Sequence, residues 1–142
     1  TSLNASDKRI RGFFLAIRYN IPMTLPTIDI TGGLKHQRQA ASLVTEWCME
    51  RLTFNYQDFY VKIVLSARPS EDHYGYCQEL GTSNYKILVR TNQPMRQWIM
   101  TLVHELIHLR QYTHNEWEGD GEDEAWGRQE QLTDELWASD LL

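Results

Sequence analysis

The sequence predicts an α+β fold in which a small antiparallel β-sheet of about three strands packs with helices. Segments with apolar residues three or four positions apart, typical of amphipathic helices, lie on both sides of the middle of the chain. Between them, apolar and polar residues alternate as they do in half-buried strands. A chain of 142 residues, 42% of them hydrophobic, is large enough for one domain with its own core. We therefore expect residues 1–142 to form a single compact domain, with residues 1–33 as a candidate N-terminal extension.

The N-terminal part of the chain is predicted to hold two helices separated by an irregular connector. A short helix is expected for DKRIRGFFLAIRYN, residues 7–20. Residues 21–33, IPMTLPTIDITGG, are expected to be irregular because two prolines and a Gly-Gly pair interrupt regular structure. In residues 34–52, LKHQRQAASLVTEWCMERL, apolar residues recur at steps of three and four. This periodicity predicts a longer helix with one buried face.

Three segments in the middle of the chain are predicted to be strands. FYVKIVLSA (residues 59–67) and NYKILVRT (84–91) alternate apolar and polar residues, and HYGYCQEL (73–80) is rich in aromatic residues. The segments between them, RPSED and GTSN, are typical of turns. Because neighbouring strands joined by short turns pair antiparallel, we expect an antiparallel sheet.

The C-terminal half predicts two further helices. In QPMRQWIMTLVHELIHLRQY, residues 93–112, Pro94 stands where a helix can begin. GEDEAWGRQEQLTDELW, residues 121–137, carries an apolar stripe that is able to pack beside the preceding helix. The stripe consists of Ala125, Trp126, Leu132, Leu136 and Trp137.

Two histidines of the first of these helices are four residues apart. At about 100° per residue, His104 and His108 fall on one arc of the helix and the apolar residues fall on the opposite arc. Imidazoles on neighbouring turns of one face lie close enough to share a metal ion, and Glu105, offset by about 100°, can reach a water on that ion. The segment reads HExxH within an amphipathic helix, which is the context that the motif requires. We predict that His104 and His108 bind Zn²⁺.

A catalytic zinc needs a third protein ligand, and His114 is one candidate. It follows His108 by the spacing of the metzincin motif HExxHxxGxxH, but Gln111 stands where that motif has glycine. A helix that continues through Gln111 carries His114 about 120° away from His108. Metzincins also have a Met-turn after the third histidine, whereas all 4 methionines of this chain precede His114. We therefore expect His114 at the surface near the helix end.

The other candidates for the third ligand are acidic residues at the start of the C-terminal helix. Glu122 and Glu124 both flank its apolar stripe. Periodicity does not choose between these two carboxylates.

The motifs HELIH and EDEA resemble those of a known enzyme class. Residues from about 59 to 138 resemble the small gluzincin-type (HExxH…E) zinc metallopeptidases, including compact bacterial and phage members and, more distantly, SprT-like proteins. In that class the glutamate before an alanine is the third ligand, which implies Glu124. The resemblance also implies a zincin-like domain and a zinc metalloendopeptidase that hydrolyses peptide bonds through a metal-activated water, with Glu105 as general base.

The resemblance also suggests where a substrate binds, and three residues near the motifs are candidates for stabilising the oxyanion. NYKILVRT resembles the edge strand along which such peptidases bind an extended peptide or protein substrate, and an ordinary core strand is the other interpretation. Candidates for stabilising the oxyanion are Tyr112, His114 and Arg128, among which the sequence does not choose.

Three alternative functions remain open at this stage. A di-iron carboxylate protein needs two Glu-x-x-His motifs on separate helices, whereas this chain has only Glu105 with His108. A non-catalytic protein with a structural zinc is a stronger alternative, since HExxH does not by itself demonstrate turnover. A SprT-like nucleic-acid-associated protease often uses histidine as the third ligand, but no histidine follows His114.

Charge and composition argue against several partners. Residues 115–142 carry ten acidic residues and one basic residue, and no basic stripe is present, so we expect no nucleic-acid partner. No apolar run approaches the roughly 20 residues of a membrane span, so we expect no membrane partner. Cys48 and Cys77 fit no CxxC pattern, and the first residues lack an apolar secretory signal. These features predict a cytoplasmic, reducing environment.

Overall fold

A computed structural model describes residues 26–54, 58–68 and 74–142 of the chain. Within these ranges four strands and three helices follow one another, which confirms the α+β class. In chain order they are β1 (Thr27–Gly32), α1 (Lys35–Arg51), β2 (Tyr60–Ser66), β3 (Gly75–Gly81), β4 (Asn84–Arg90), α2 (Met95–His114) and α3 (Glu122–Ala138). The helix predicted for residues 7–20 lies outside the described residues.

The sheet is mixed and has four strands, so the prediction of about three antiparallel strands was wrong in number and in direction. Its strand order is β1-β2-β4-β3. β2 pairs parallel with both β1 and β4, and only β3 pairs antiparallel with β4. Alternation of apolar and polar residues identifies the buried face of a strand but not its partner. The segment after β2 was therefore predicted to be a hairpin turn between paired strands. It instead leads to β3, which is separated from β2 by β4.

β1 occupies part of the segment that was expected to be an irregular connector. Pro26 and the Gly32–Gly33 pair, which suggested irregularity, lie at its ends: Pro26 precedes the strand, where its missing N–H costs no ladder hydrogen bond. At the other end Gly32 has φ +79°, and a Cβ there would lie 2.1 Å from the Leu65 carbonyl oxygen. Between these ends TIDITG is rich in the β-branched residues that favour strands.

The core lies between one face of the sheet and the helices α1 and α2. α1 buries most of the predicted stripe, with Val44 and Cys48 fully covered, and it also buries Ala41. The sheet contributes alternate residues of its two central strands, namely Val61, Ile63, Leu65, Tyr85, Ile87 and Val89. The strict alternation in β2 and β4 thus determines which face of the sheet the helices cover.

α3 packs against α2. Ala125, Leu132 and Leu136 are buried in this contact, whereas Trp126 is 64% exposed and Trp137 is 36% exposed. The buried stripe of α3 is therefore narrower than predicted. Among the described residues no helix combines the length and apolarity needed to cross a membrane.

β4 lies between β2 and β3, so NYKILVRT is an interior strand and not the edge of the sheet. The edge next to α2 is formed by β3, which contacts that helix. An extended ligand could pair with this side of the sheet only along β3.

Candidate metal centre

The histidines of the HExxH segment lie in the middle of α2 on its polar arc. This arc is buried like the apolar arc opposite: His104 is 9% exposed, Glu105 5% and His108 6%. α3 lies beside these residues on one side and β3 on the other. Because buried polar groups are costly unless they have partners, each of these side chains needs a hydrogen bond or a ligand.

Each imidazole donates one ring N–H to a glutamine side chain. His104 Nδ1 is 2.7 Å from Gln129 Oε1, and His108 Nδ1 is 2.9 Å from Gln111 Oε1. An amide oxygen only accepts, so both bonds require the hydrogen to be on Nδ1. The Nε2 atom of each neutral imidazole is then left with a free lone pair, which is the form that a metal ion needs.

The two Nε2 atoms and the carboxylate of Glu122 converge on one point. His104 Nε2 and His108 Nε2 are 3.2 Å apart, and the Glu122 oxygens lie 3.3 Å and 2.8 Å from them. Ligands at zinc bond lengths in a tetrahedral site are separated by about 3.3 Å. Two lone pairs that face each other at this distance repel unless a cation lies between them. The three side chains thus fit a metal ion in both geometry and charge.

Glu124, the glutamate predicted as third ligand, lies elsewhere. Its Oε1 accepts a hydrogen bond of 2.8 Å from Gln111 Nε2, and its Oε2 lies 3.7 Å from Arg128 Nη1. It is not part of the group formed by His104, His108 and Glu122. The structure therefore brings together two of the three predicted ligands and adds Glu122, the alternative that the sequence left open.

The charge state of the site depends on burial. Burial lowers the pKa of His104 below its ordinary value of 6.5, which favours the neutral imidazole. Burial also raises the pKa of Glu105 to about 8, and the negative charge of Glu122 adds to this increase. Cys77 on β3 has its thiol pKa raised by burial and then by the charge of Glu105. Without a cation nearby, the Glu105 carboxyl group holds a proton at neutral pH.

An open cleft of about 920 Å³ contains all four of these side chains, His104, Glu105, His108 and Glu122. Its walls are the start of β3, the segment between β4 and α2, the polar arc of α2 and the first turn of α3. Other side chains that line it are Tyr74, Tyr76, Met100, Tyr112, Asp120 and Trp126. The candidate metal centre therefore lies in a cleft that is open to solvent.

The three candidates for oxyanion stabilisation lie in different places. Tyr112 lines the cleft one turn beyond His108, and burial raises its pKa, so its hydroxyl remains a donor. His114 packs edge-on against Phe54 with ring centroids 5.8 Å apart. The guanidinium group of Arg128 lies near Glu124 and is not among the groups that line the cleft. Of the three, Tyr112 is the one that lines the cleft.

Comparisons of the chain with protein-family models, with curated proteins and with solved structures found no match. The geometry of the cleft is accordingly the basis on which a function can be inferred.

Proposed function

We propose that this chain is a zinc-dependent metallopeptidase of the gluzincin type, in which His104, His108 and Glu122 hold Zn²⁺ and Glu105 is the general base. The observation that carries the proposal is the convergence of two Nε2 lone pairs and one carboxylate at the separations of tetrahedral ligands. Glu122 takes the role that the sequence assigned to Glu124, because the Glu124 carboxylate is engaged with Gln111.

The donor set supports zinc over the commoner divalent cations. Two imidazole nitrogens and one carboxylate suit zinc, whereas magnesium and calcium prefer sites made of oxygen ligands. The group has three protein donors, and catalytic zinc sites use three donors and leave one position for water. A structural zinc is usually closed by a fourth protein ligand, and no fourth donor belongs to this group in the described residues. Zinc in this site would polarise the scissile carbonyl and lower the pKa of its water to about 7.

Glu105 has the environment expected of a general base. It lies in the same cleft as the three ligands and is 5% exposed. Its pKa of about 8 belongs to the metal-free site, and a zinc ion beside it would lower that pKa towards neutral pH. A catalytic carboxylate with a pKa near the working pH both accepts and returns a proton readily. Glu105 would take a proton from the attacking water and deliver it to the leaving amine, and the hydroxyl of Tyr112, which lines the cleft, would donate to the oxygen that gains charge.

The cleft also suggests how a substrate binds. Tyr74 and the first residues of β3, Gly75, Tyr76 and Cys77, line it, and β3 is one of the two edge strands of the sheet. An extended peptide that pairs with this edge would gain backbone hydrogen bonds and lie across the polar arc of α2. We therefore propose an extended peptide segment as substrate, bound along β3 and not along β4.

Replacement of the general base tests this function directly. Glu105→Gln keeps the size of the side chain but cannot accept a proton, so zinc content should stay near one equivalent. The rate of peptide hydrolysis should fall by about 10²- to 10⁴-fold, the usual contribution of a general base. Zinc analysis and cleavage of an unfolded protein substrate, measured for wild type, Glu105→Gln and the exposed control Glu130→Gln, check both expectations.

The outcomes separate the alternatives. Equal cleavage by wild type and Glu105→Gln would mean that another group is the base. A wild-type protein that binds zinc and cleaves none of a broad panel of unfolded proteins would favour a structural zinc.

A further inference from the structure

Gln111 is a buried amide near the C-terminal end of α2 whose side chain contacts three groups at once. It is 2% exposed. Its Oε1 accepts the Nδ1–H of His108, and its Nε2 donates to the Gly121 carbonyl oxygen at 3.0 Å and to Glu124 Oε1 at 2.8 Å. The oxygen and both amide hydrogens are therefore engaged.

These contacts connect the metal ligand His108 on α2 to the first turn of α3. Gly121 and Glu124 lie on either side of Glu122 in the sequence, so the two bonds donated by Gln111 flank the third proposed ligand. Gly121 has φ +80°, and a Cβ at this position would lie 2.3 Å from Gln111 Oε1. The chain before α3 thus passes directly over the amide, at a distance that only glycine permits.

We propose that Gln111 is a positioning residue that fixes the first turn of α3 before the metal binds, so that Glu122 already faces His104 and His108. This inference rests on the proposed metal centre. The hydrogen bond that Gln111 Oε1 accepts from His108 also orients that imidazole, so one side chain positions metal ligands on two helices. A binding site whose parts are already in place binds its ligand more tightly, because the free energy of ordering is not subtracted from the affinity.

The role requires an amide in particular. Leucine has similar volume but makes none of the three hydrogen bonds. Glutamate retains the acceptor for His108 yet loses both donors, and its charge repels Glu124. We therefore expect Gln111→Leu to weaken zinc binding by about 10- to 100-fold, the usual cost of removing an outer partner of a metal ligand.

Hydrogen exchange of the metal-free protein separates positioning from a general loss of structure. Gln111→Leu should accelerate amide exchange in residues 115–124, and zinc should restore the protection because Glu122 then anchors α3 through the metal. Gln129→Leu is the matched control, since Gln129 contacts the other ligand, His104, and is itself part of α3 beyond its first turn. It should weaken zinc binding without accelerating exchange in residues 115–124.

A double-mutant cycle supplies a readout that a merely structural role would not change. If Gln111 acts through Glu122, the Gln111→Leu change should cost several-fold less zinc affinity in a Glu122→Ala background than in the wild type. A second variant exchanges the two side chains. In the double variant Gln111→Glu with Glu124→Gln, the amide at position 124 can donate to the carboxylate at position 111, so it should recover part of the zinc affinity that Gln111→Glu alone loses.

Zinc titrations of these variants give distinct results for distinct failures. A wild-type protein that binds no zinc would overturn the proposed metal centre. Two results together would overturn the role of Gln111 and leave the metal centre in place. In a protein that binds zinc, Gln111→Leu would lower zinc affinity by the same factor in the wild-type and Glu122→Ala backgrounds, and amide exchange in residues 115–124 would be unchanged.

Discussion

Glu105 is the residue whose environment departs most from that of an ordinary surface carboxylate. It is 5% exposed, and burial together with the charge of Glu122 raises its pKa from 4.5 to about 8. Between these two pH values the folded metal-free protein keeps the proton that the unfolded chain has released. Folding then takes up a proton, so the free energy of unfolding decreases as pH rises through this window and levels off above it.

A glutamine at position 105 should remove this pH dependence, because the amide does not titrate. Between pH 5 and pH 8 the unfolding free energy of metal-free wild type should fall by about 3 kcal/mol relative to that of metal-free Glu105→Gln. Urea unfolding of both proteins in a chelator at the two pH values measures the difference. The exposed control Glu130→Gln should follow wild type, and a wild-type curve parallel to that of Glu105→Gln would show that Glu105 titrates normally.

The HExxH residues were predictable from the sequence, whereas the third ligand was not. His104, Glu105 and His108 follow from helical spacing alone, because one helix carries them all. The choice between Glu122 and Glu124 depends on how α3 is rotated about its axis. The resemblance carried by EDEA implied Glu124, whereas the structure brings Glu122 to the histidines. On an ideal helix Glu122 lies about 60° from the centre of the stripe that is buried, and Glu124 lies about 100° from it. The apolar residues of that stripe are Ala125, Leu132 and Leu136.

At the scale of elements, the rotation of α3 is set by its buried leucines. Leu136 is fully buried, while Trp137 next to it is 36% exposed and stacks on the guanidinium group of Arg96. Leu136→Ala should therefore lower the unfolding free energy by about 2 to 5 kcal/mol, and Trp137→Ala by clearly less. Leu136→Ala should also weaken zinc binding, because the loosened helix carries Glu122.

Urea unfolding and zinc titration of the two alanine variants test this account of α3. Equal losses of stability would mean that the helix is rotated so that Trp137 shares the core. A loss of stability without a loss of zinc affinity would mean that α3 does not deliver a ligand.

The strands show why alternation predicts faces better than partners. β2 and β4 were located almost to the residue, because Val61 to Leu65 and Tyr85 to Val89 each combine β-branched or aromatic residues with a polar residue at the second position, and each strand borders a turn-like segment. Their parallel pairing involves residues distant in sequence, and no local signal records it. β1 escaped prediction because it is a short edge strand whose ends are marked by the same residues that mark loops.

At the scale of the whole molecule, a polar arc of α2 is buried between β3 and α3, and together with Glu122 it forms a group of side chains that could hold a cation. Metal binding and folding should therefore be coupled.

Free zinc at 100 times its dissociation constant should raise the unfolding free energy of wild type by about 2.7 kcal/mol. The double variant His104→Ala with His108→Ala should gain nothing from zinc, as measured by urea unfolding with zinc and with chelator. An equal gain in both proteins would place the stabilising metal elsewhere.

The central claim is that His104, His108 and Glu122 form one metal site, and zinc affinity of single variants tests it most directly. Competition titrations with a chromophoric chelator would compare wild type with His104→Ala, Glu122→Ala and Glu124→Ala. We predict about one equivalent of tightly bound zinc in wild type, loss of tight binding in the first two variants, and a smaller decrease in Glu124→Ala, which loses only its bond to Gln111. Tight binding that survives Glu122→Ala but not Glu124→Ala would contradict the account, because α3 would then have to present its opposite flank to the histidines.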